Sequence, residues 1–252
     1  MKRSRVILLA AGQGSRLGDI TNSVPKCLLP IRDEPLLIRT VRQLVERDFE
    51  EIVIVVGHLR TVVIEAFGAL WGNRVRFVVN PAYATDTNIG SLLRGLENLD
   101  SSALIIEADV IFDDQAMNAV AAVASRNESV WFTNGRFQSW QIGGILRSDT
   151  TGAVREIAYT SRYSPDLHDA KKLLGVLHVG SAEMPRFHSL VRNAAAASTA
   201  QYYMMPWVEH LSELPCCECD LGAGHTASFN TPHDYQRCLL QFAHDLEGSY
   251  VR

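Results

Sequence analysis

The sequence predicts an α/β fold: a doubly wound, mostly parallel sheet with a smaller α+β lobe inserted behind it. Three observations carry that expectation. Short, nearly continuous apolar runs, of the kind buried on both faces of a parallel sheet, alternate with segments of helical period through the first 135 residues. The first run ends in a glycine-rich turn, at the edge where open α/β sheets bind ligands. After Asn134 the alternation gives way to closely spaced strand-like segments.

Taken in order, residues 5–10 read as the first strand. Leu37, Val41, Leu44 and Val45 recur at helical spacing, so residues 35–48 form a helix with Pro35 near its first turn. Strands follow at 51–56 and 74–79 with a helix at 59–70 between them. Residues 88–99 are helical, with Leu92, Leu93 and Leu96 inward. Strand 103–108 stops at Asp109, and helix 113–125 leads to strand 129–133. Beyond it, 140–147 and 154–159 pair as antiparallel strands about a turn at 149–152, and 173–179 is a further strand. Helices are expected at 183–197, at 199–213 with a kink or break at Pro206, and at 233–246. There is no internal repeat and no low-complexity linker, so the chain reads as one domain.

Composition narrows the classes. The 252 residues are 47% apolar and 21% charged, and 24 basic against 28 acidic residues leave a net charge of −4. An acidic balance disfavours nucleic acid as a partner. No apolar run approaches the ~20 residues that cross a bilayer, so no membrane partner is expected. Residues 1–5 followed by 6–11 mimic a signal peptide, but the apolar stretch stops at Gly12, which points to a cytoplasmic protein. The five cysteines (Cys27, Cys216, Cys217, Cys219 and Cys238) then read as buried thiols, and their spacing fits no zinc knuckle. A hydrolase elbow, Gly-x-Ser-x-Gly, is absent, and Asp109 to Asp113 has the wrong spacing for the Asp-x-Asp of a glycosyltransferase.

The turn after the first strand, Gly12-Gln13-Gly14-Ser15-Arg16-Leu17-Gly18, is neither of the standard phosphate loops. Gly18 is followed by Asp19 where a Walker A loop has lysine, and Leu17 stands where a dinucleotide fingerprint has its third glycine. A second motif follows: Pro25-Lys26-Cys27-Leu28-Leu29-Pro30, one lysine between proline-fixed bends. Glycines let backbone N–H groups approach phosphate oxygens, arginine offers a planar fork, and lysine offers a mobile point charge. Together these suit a triphosphate. A ligand-free glycine turn and a solvated lysine remain the alternative.

On the residues Leu9-Ala10-Ala11-Gly12-x-Gly14-x-Arg16-Leu17 and Pro25-Lys26-x-Leu28, the chain resembles the nucleotidyltransferases that join a nucleoside monophosphate to a phosphorylated acceptor. The resemblance implies a Rossmann-like core at 1–135 that binds nucleotide, an acceptor-binding lobe at 136–225, and a return to the core at 226–252. It implies that Leu9, Ala10, Ala11, Gly12 and Gly14 cradle the nucleotide, that Arg16 holds the β,γ-phosphates, and that Lys26 sits on the α-phosphate. Glu107-Ala108-Asp109 matches the family's strand-end Gly-Asp, which implies Asp109 as a Mg²⁺ ligand and Glu107 beside the nucleotide. A turn or N-cap role is the structural alternative for Asp109.

Asn80-Pro81-x-Tyr83-x-Thr85-x-Thr87-Asn88-x-x-Ser91-Leu92 looks like the branch that makes CDP-activated compounds, the phosphocholine and phosphonate cytidylyltransferases. It implies CTP as the nucleoside triphosphate, with Asn88 and Ser91 near base and ribose; Asn88 also reads as the N-cap of the helix behind it. Lys171 and Lys172 resemble the segment that contacts the phosphate of a small phosphorylated or phosphonylated acceptor, a solvated edge being the alternative. Trp140, with Tyr159, Tyr202, Tyr203 and Trp207, suits either a cage for a choline-like cation or the core. In Ser228-Phe229-Asn230-Thr231-Pro232, Asn230 replaces the aspartate that the family uses as second metal ligand; its amide oxygen can coordinate Mg²⁺ without charge, with either Asp220 as a compensating carboxylate or the metal resting mainly on Asp109 and the nucleotide. The implied activity is transfer of CMP from CTP with release of pyrophosphate. A sugar-1-phosphate nucleotidyltransferase using UTP, dTTP or GTP is one alternative, and a nucleotide-binding homologue impaired in catalysis is another. A homodimer is the general expectation for assembly.

Overall fold

The computed structural model describes residues 5–99 and 101–243. Arg5–Ala10 (β1) runs into two 3₁₀ turns, Ser15–Thr21 and Lys26–Leu28, and a short hairpin of Pro30–Ile31 (β2) with Glu34–Pro35 (β3). Leu36–Val45 (α1), Ile52–Val56 (β4), Arg60–Phe67 (α2), Val75–Val79 (β5), Ile89–Gly95 (α3) and Ala103–Glu107 (β6) follow. Next come Val110–Phe112 (β7), Asp114–Val123 (α4), Val130–Arg136 (β8), Gly143–Ser148 (β9), Val154–Thr160 (β10) and Lys171–Val179 (β11). Met184–Ala197 (α5), Met205–Glu209 (α6), Cys217–Asp220 (β12), Thr226–Ser228 (β13) and Pro232–Gln241 (α7) complete the described chain. The part of the expected last helix beyond residue 243 lies outside the described residues.

The main sheet has the order β10-β9-β11-β6-β1-β4-β5, with β8 paired to β11 and β12. β6, β1, β4 and β5 are parallel, in a register that sets Leu9 opposite both Val55 and Glu107. This is the Rossmann-like α/β core, and it explains the continuous apolar runs. Alternate residues of β1 feed opposite faces: Val6 and Leu8 join Val41, Leu44, Ile54 and Phe112, whereas Ile7 joins Leu92, Ile105, Phe187 and Trp207. A central strand with helices on both sides has no polar face to show.

β11 continues the sheet antiparallel to β6, with Val176 opposite Ile106, and pairs antiparallel with β8 and β9 as well. The strands of 136–225 therefore extend the same sheet instead of forming one of their own. A third apolar cluster, Leu17, Leu29, Ile31, Ile111, Phe229 and Tyr235 among its members, fastens the opening loop to α7.

Three expectations are corrected. Residues 199–213 do not form one helix kinked at Pro206. Only Met205–Glu209 is helical, and Pro206 lies in its first turn, where a missing N–H costs nothing. The expected strand at 140–147 starts only at Gly143, and Trp140 sits in a turn closed by Gln141 N–H to the Gln138 carbonyl. The strand at 129–133 does not extend the parallel run, since β8 pairs antiparallel with β11 and parallel with β12. No helix among the described residues is long and apolar enough to cross a membrane.

The packing of α3 on β1 gives a test. A Cβ on Gly95 would lie 2.5 Å from Ile7 Cγ2 and 3.3 Å from Val55 Cγ2. Overpacking of this kind costs about 1–3 kcal/mol, which exceeds the ~1 kcal/mol that alanine gains over glycine in a helix. Gly95→Ala is therefore expected to lower the midpoint of urea unfolding; a raised midpoint would show that Ile7 repacks freely.

Candidate active site

A cavity of about 340 Å³ opens at the C-terminal edge of the parallel strands, lined by Leu9, Ala10 and Ala11 from β1 and by Glu107, Ala108 and Asp109 from β6. This is where the ends of adjacent parallel strands leave a crevice. Gly12, Gly14 and Arg16 line one end of it, Asn88 and Ser91 another, and Lys172 with Gly175 the side formed by β11.

At the first end, four residues far apart in sequence meet. Gly14 takes φ +66°, and a side chain there would press on Lys26, 3.1 Å from its Cβ. The 3₁₀ turn after Pro25 aims Lys26 inward, where Nζ donates to Asp109 Oδ2 at 2.5 Å and to Asn230 Oδ1 at 2.9 Å. Arg16 donates to the same Asn230 Oδ1 at 2.8 Å. Below Lys26 lies the ring of Phe229, 5.3 Å from the ammonium to the centroid, a contact that the sequence did not announce. Asn230 is held by the start of α7, where Thr231 and Asp234 form a capping box and the Asn230 N–H also reaches the Asp234 carboxylate. Cys27, next to the lysine, is a buried thiol pushed up to about 12, so it offers no thiolate.

At the second end, Asn88 stands at the N-cap position of α3, as expected, but its side chain makes no capping hydrogen bond. Its Nδ2 instead donates to Glu107 Oε1 at 2.9 Å, and its Oδ1 accepts from the Tyr203 N–H at 2.8 Å. The capping carboxylate is Asp86, which accepts from the N–H groups of Gly90 and Ser91, from Ser91 Oγ and from Asn80 Nδ2. Ser91 borders the cavity, yet its hydroxyl is given to Asp86. An acidic residue just before an apolar helical period was the available signal for Asp86.

Glu107 and Lys172 face the cavity from neighbouring strands. Burial, with the nearby Asp109 charge, raises the Glu107 carboxyl to about 7. Burial lowers Lys172 to about 8, against the pull of Glu107 and Asp109. Lys172 Nζ donates to the Ile142 carbonyl at 2.8 Å. Gly175 is what lets Glu107 lie across β11, because a Cβ there would collide with the carboxylate.

Two acceptor candidates are corrected. Lys171 points away from the cavity and pairs with Glu218 at 2.8 Å and Asp220 at 3.3 Å, as the two-residue period of a strand requires when Lys172 points in. Trp140 is 65% exposed in its turn and does not border the cavity; Ile142 does. Asp220 is also away from the site, accepting from the N–H groups of Gly135 and Gly222, so it supplies no substitute ligand. Of the aromatic residues, Tyr159 and Tyr202 stack beside the cavity with centroids 5.5 Å apart, whereas Trp207 is in the core against Trp131 and Phe187.

Among the described residues no group of three or more His, Cys, Asp or Glu could hold a metal ion. Asp109 Oδ2 and Asn230 Oδ1 nevertheless converge on one cation, the Lys26 ammonium. Two hard oxygen donors suit a magnesium-like ion that takes its remaining ligands from phosphates and water.

The chain is 34% identical over 153 residues to the CMP-5'-(3-aminopropyl)phosphonate synthase of Streptomyces rubellomurinus, a match to 60% of this chain and 24% of that protein. It is 31% identical over 113 residues to the UTP–glucose-1-phosphate uridylyltransferase of a Synechocystis species, covering 44% of this chain and 28% of the relative. The chain thus spans under a third of the length of either relative. In fold it matches the CTP:phosphocholine cytidylyltransferase of Streptococcus pneumoniae with a TM-score of 0.80 at 24% identity, over 94% of this chain and 98% of that one. Residues 6–177 match the family described as the MobA-like NTP transferase domain, and the chain belongs to that family.

Proposed function

We propose that the protein transfers a cytidylyl group from CTP to a small phosphate- or phosphonate-bearing acceptor and releases pyrophosphate. The observation that carries this reading is the convergence of Arg16, Lys26, Asp109 and Asn230 at one end of a cavity whose β11 wall carries Lys172. The synthase relative, whose name specifies a CMP-linked aminopropylphosphonate, supports the choice of nucleotide and acceptor. In this reading the core of 1–135 holds the nucleotide, 136–225 supplies the acceptor side, and 226–252 brings Asn230 to the phosphates.

The chemistry requires little beyond position and charge. An anionic oxygen of the acceptor attacks the α-phosphorus, a new P–O bond forms, and the bond to the β-phosphate oxygen breaks with its electron pair leaving on pyrophosphate. No side chain need take a proton from an oxygen that is already anionic. Arg16 holds the β,γ-phosphates, Lys26 neutralises charge that develops on the α-phosphoryl group, and Lys172 holds the acceptor's phosphate or phosphonate. Members of the family generally use a divalent metal such as Mg²⁺. Asp109 and Asn230 would hold it, and when bound it supplies further charge neutralisation at the phosphates.

The uridylyltransferase relative favours a second reading, transfer to a sugar 1-phosphate. Pyrophosphate release with CTP, UTP, dTTP and GTP against phosphocholine, 2-aminoethylphosphonate and glucose 1-phosphate separates the two. Turnover confined to CTP with the first two acceptors is expected; turnover only with the sugar phosphate would overturn the main reading.

Two variants test the roles. Lys26→Ala is expected to lower kcat by about 100-fold or more, the scale of one preorganised charge donor, and full turnover would remove Lys26 from the reaction. Because Lys172 titrates near 8, it is charged below that pH and neutral above it. The kcat/KM for the acceptor, which reports groups of the free enzyme, should therefore fall as pH rises through about 8. Lys172→Arg, charged throughout, should abolish that fall; an unchanged profile would show that another group is responsible.

A further inference from the structure

Asn230 does two things at once. Its Oδ1 accepts from Arg16 at 2.8 Å and from Lys26 at 2.9 Å, so a single neutral atom aligns both cations of the loop end. Its main chain is fixed independently by the capping box of α7, through the N–H of Asn230 to Asp234 Oδ2 at 3.3 Å. Asp109 pairs with Lys26 there, and the Glu107 carboxyl lies within electrostatic reach of both cations. Farther along the cavity Lys172 adds a third cation and Asp86 a third carboxylate, the latter taken up by four donors at the start of α3, so a neutral residue at position 230 keeps the lining from becoming net acidic.

The alternative residue would behave differently. A carboxylate at position 230 would stand within 3 Å of both cations and match their charge, with Asp109, one for one. An incoming polyphosphate would then have to break two ion pairs, and a ligand-borne cation would be needed to restore attraction. An amide oxygen orients the same donors, and because each of its hydrogen bonds lacks the charge of an ion pair, a phosphate oxygen can displace it.

We propose that Asn230 frees polyphosphate capture from the divalent cation: as the neutral acceptor shared by Arg16 and Lys26, it positions both without neutralising either, so residues of this chain hold the phosphates before any metal arrives. This rests on reading the cavity as a triphosphate site. It makes Asn230 a positioning residue, and it leaves the metal's part in the transfer step untouched.

The test is calorimetric titration with inorganic tripolyphosphate and, separately, CTP, each in excess EDTA and in MgCl₂. For the unmodified protein the two tripolyphosphate dissociation constants are expected to agree within about threefold. Asn230→Asp should weaken binding in EDTA by about tenfold or more, the scale of one added charge a few ångströms away, and MgCl₂ should restore it. Asn230→Ala keeps the charge balance, so it should remain indifferent to the metal even if binding weakens in both conditions. Metal-dependent binding of tripolyphosphate by the unmodified protein would overturn the proposal, as would equal metal dependence in the Asp and Ala variants. Tripolyphosphate has no base, so its outcome is independent of the choice of CTP. Metal-free binding with no pyrophosphate release from any triphosphate would sink the transferase reading and leave this one standing.

Discussion

The ammonium of Lys26, held between Asp109 and Asn230, is the point where polar groups of three segments converge: the loop after β1, the end of β6 and the start of α7. Such a pair is poor evidence for stability, since removing both charges from water costs about what their attraction returns. Its value is positional. Lys26 and Asp109 are both mostly buried, so their geometry is set by packing on Phe229 and by the cap of α7 more than by the bond itself. In the proposed reaction a phosphate entering the cavity would find the cations already in place, the reorganisation that an open surface would demand having been done in folding.

The remaining polar groups of the cavity show the same economy. Asn88 satisfies a carboxylate of Glu107 and a backbone N–H of Tyr203, and Asp86 ties four donors at the start of α3. Ser91 and Asn80, both buried, thereby find partners that water cannot provide. Glu107 and Lys172 are both shifted toward their neutral forms by burial, so this wall disfavours charge that is left unpaired. The absence of a side chain at Gly175 is the steric condition for that arrangement.

Much of this was legible in the residues. The apolar runs of β1, β4 and β6 identified the parallel core because a strand covered on both faces must be apolar throughout. The paired motifs around Arg16 and Lys26, with Asp109 at a strand end, mark residues that line one end of the cavity. Residues whose role depends on which way a side chain points were less readable. Lys171 and Lys172 are adjacent and identical, and only the pairing of β11 sends one to Glu218 and the other into the cavity. Trp140 and Trp207 are likewise the same residue, one in an exposed turn and one in the core.

By itself, then, the sequence determined the fold class, the order of the core elements and the loop that borders the cavity. Those follow from hydrophobic period and from glycine and proline at set positions, which act within a few residues. The tertiary structure decided which groups share a space. It put Asn230 against Arg16, 214 positions away, gave the capping hydrogen bonds of α3 to Asp86 instead of the Asn88 side chain, and turned Lys171, Trp140 and Asp220 away from the cavity. Such contacts depend on strand register and on the docking of α7, which no local pattern encodes.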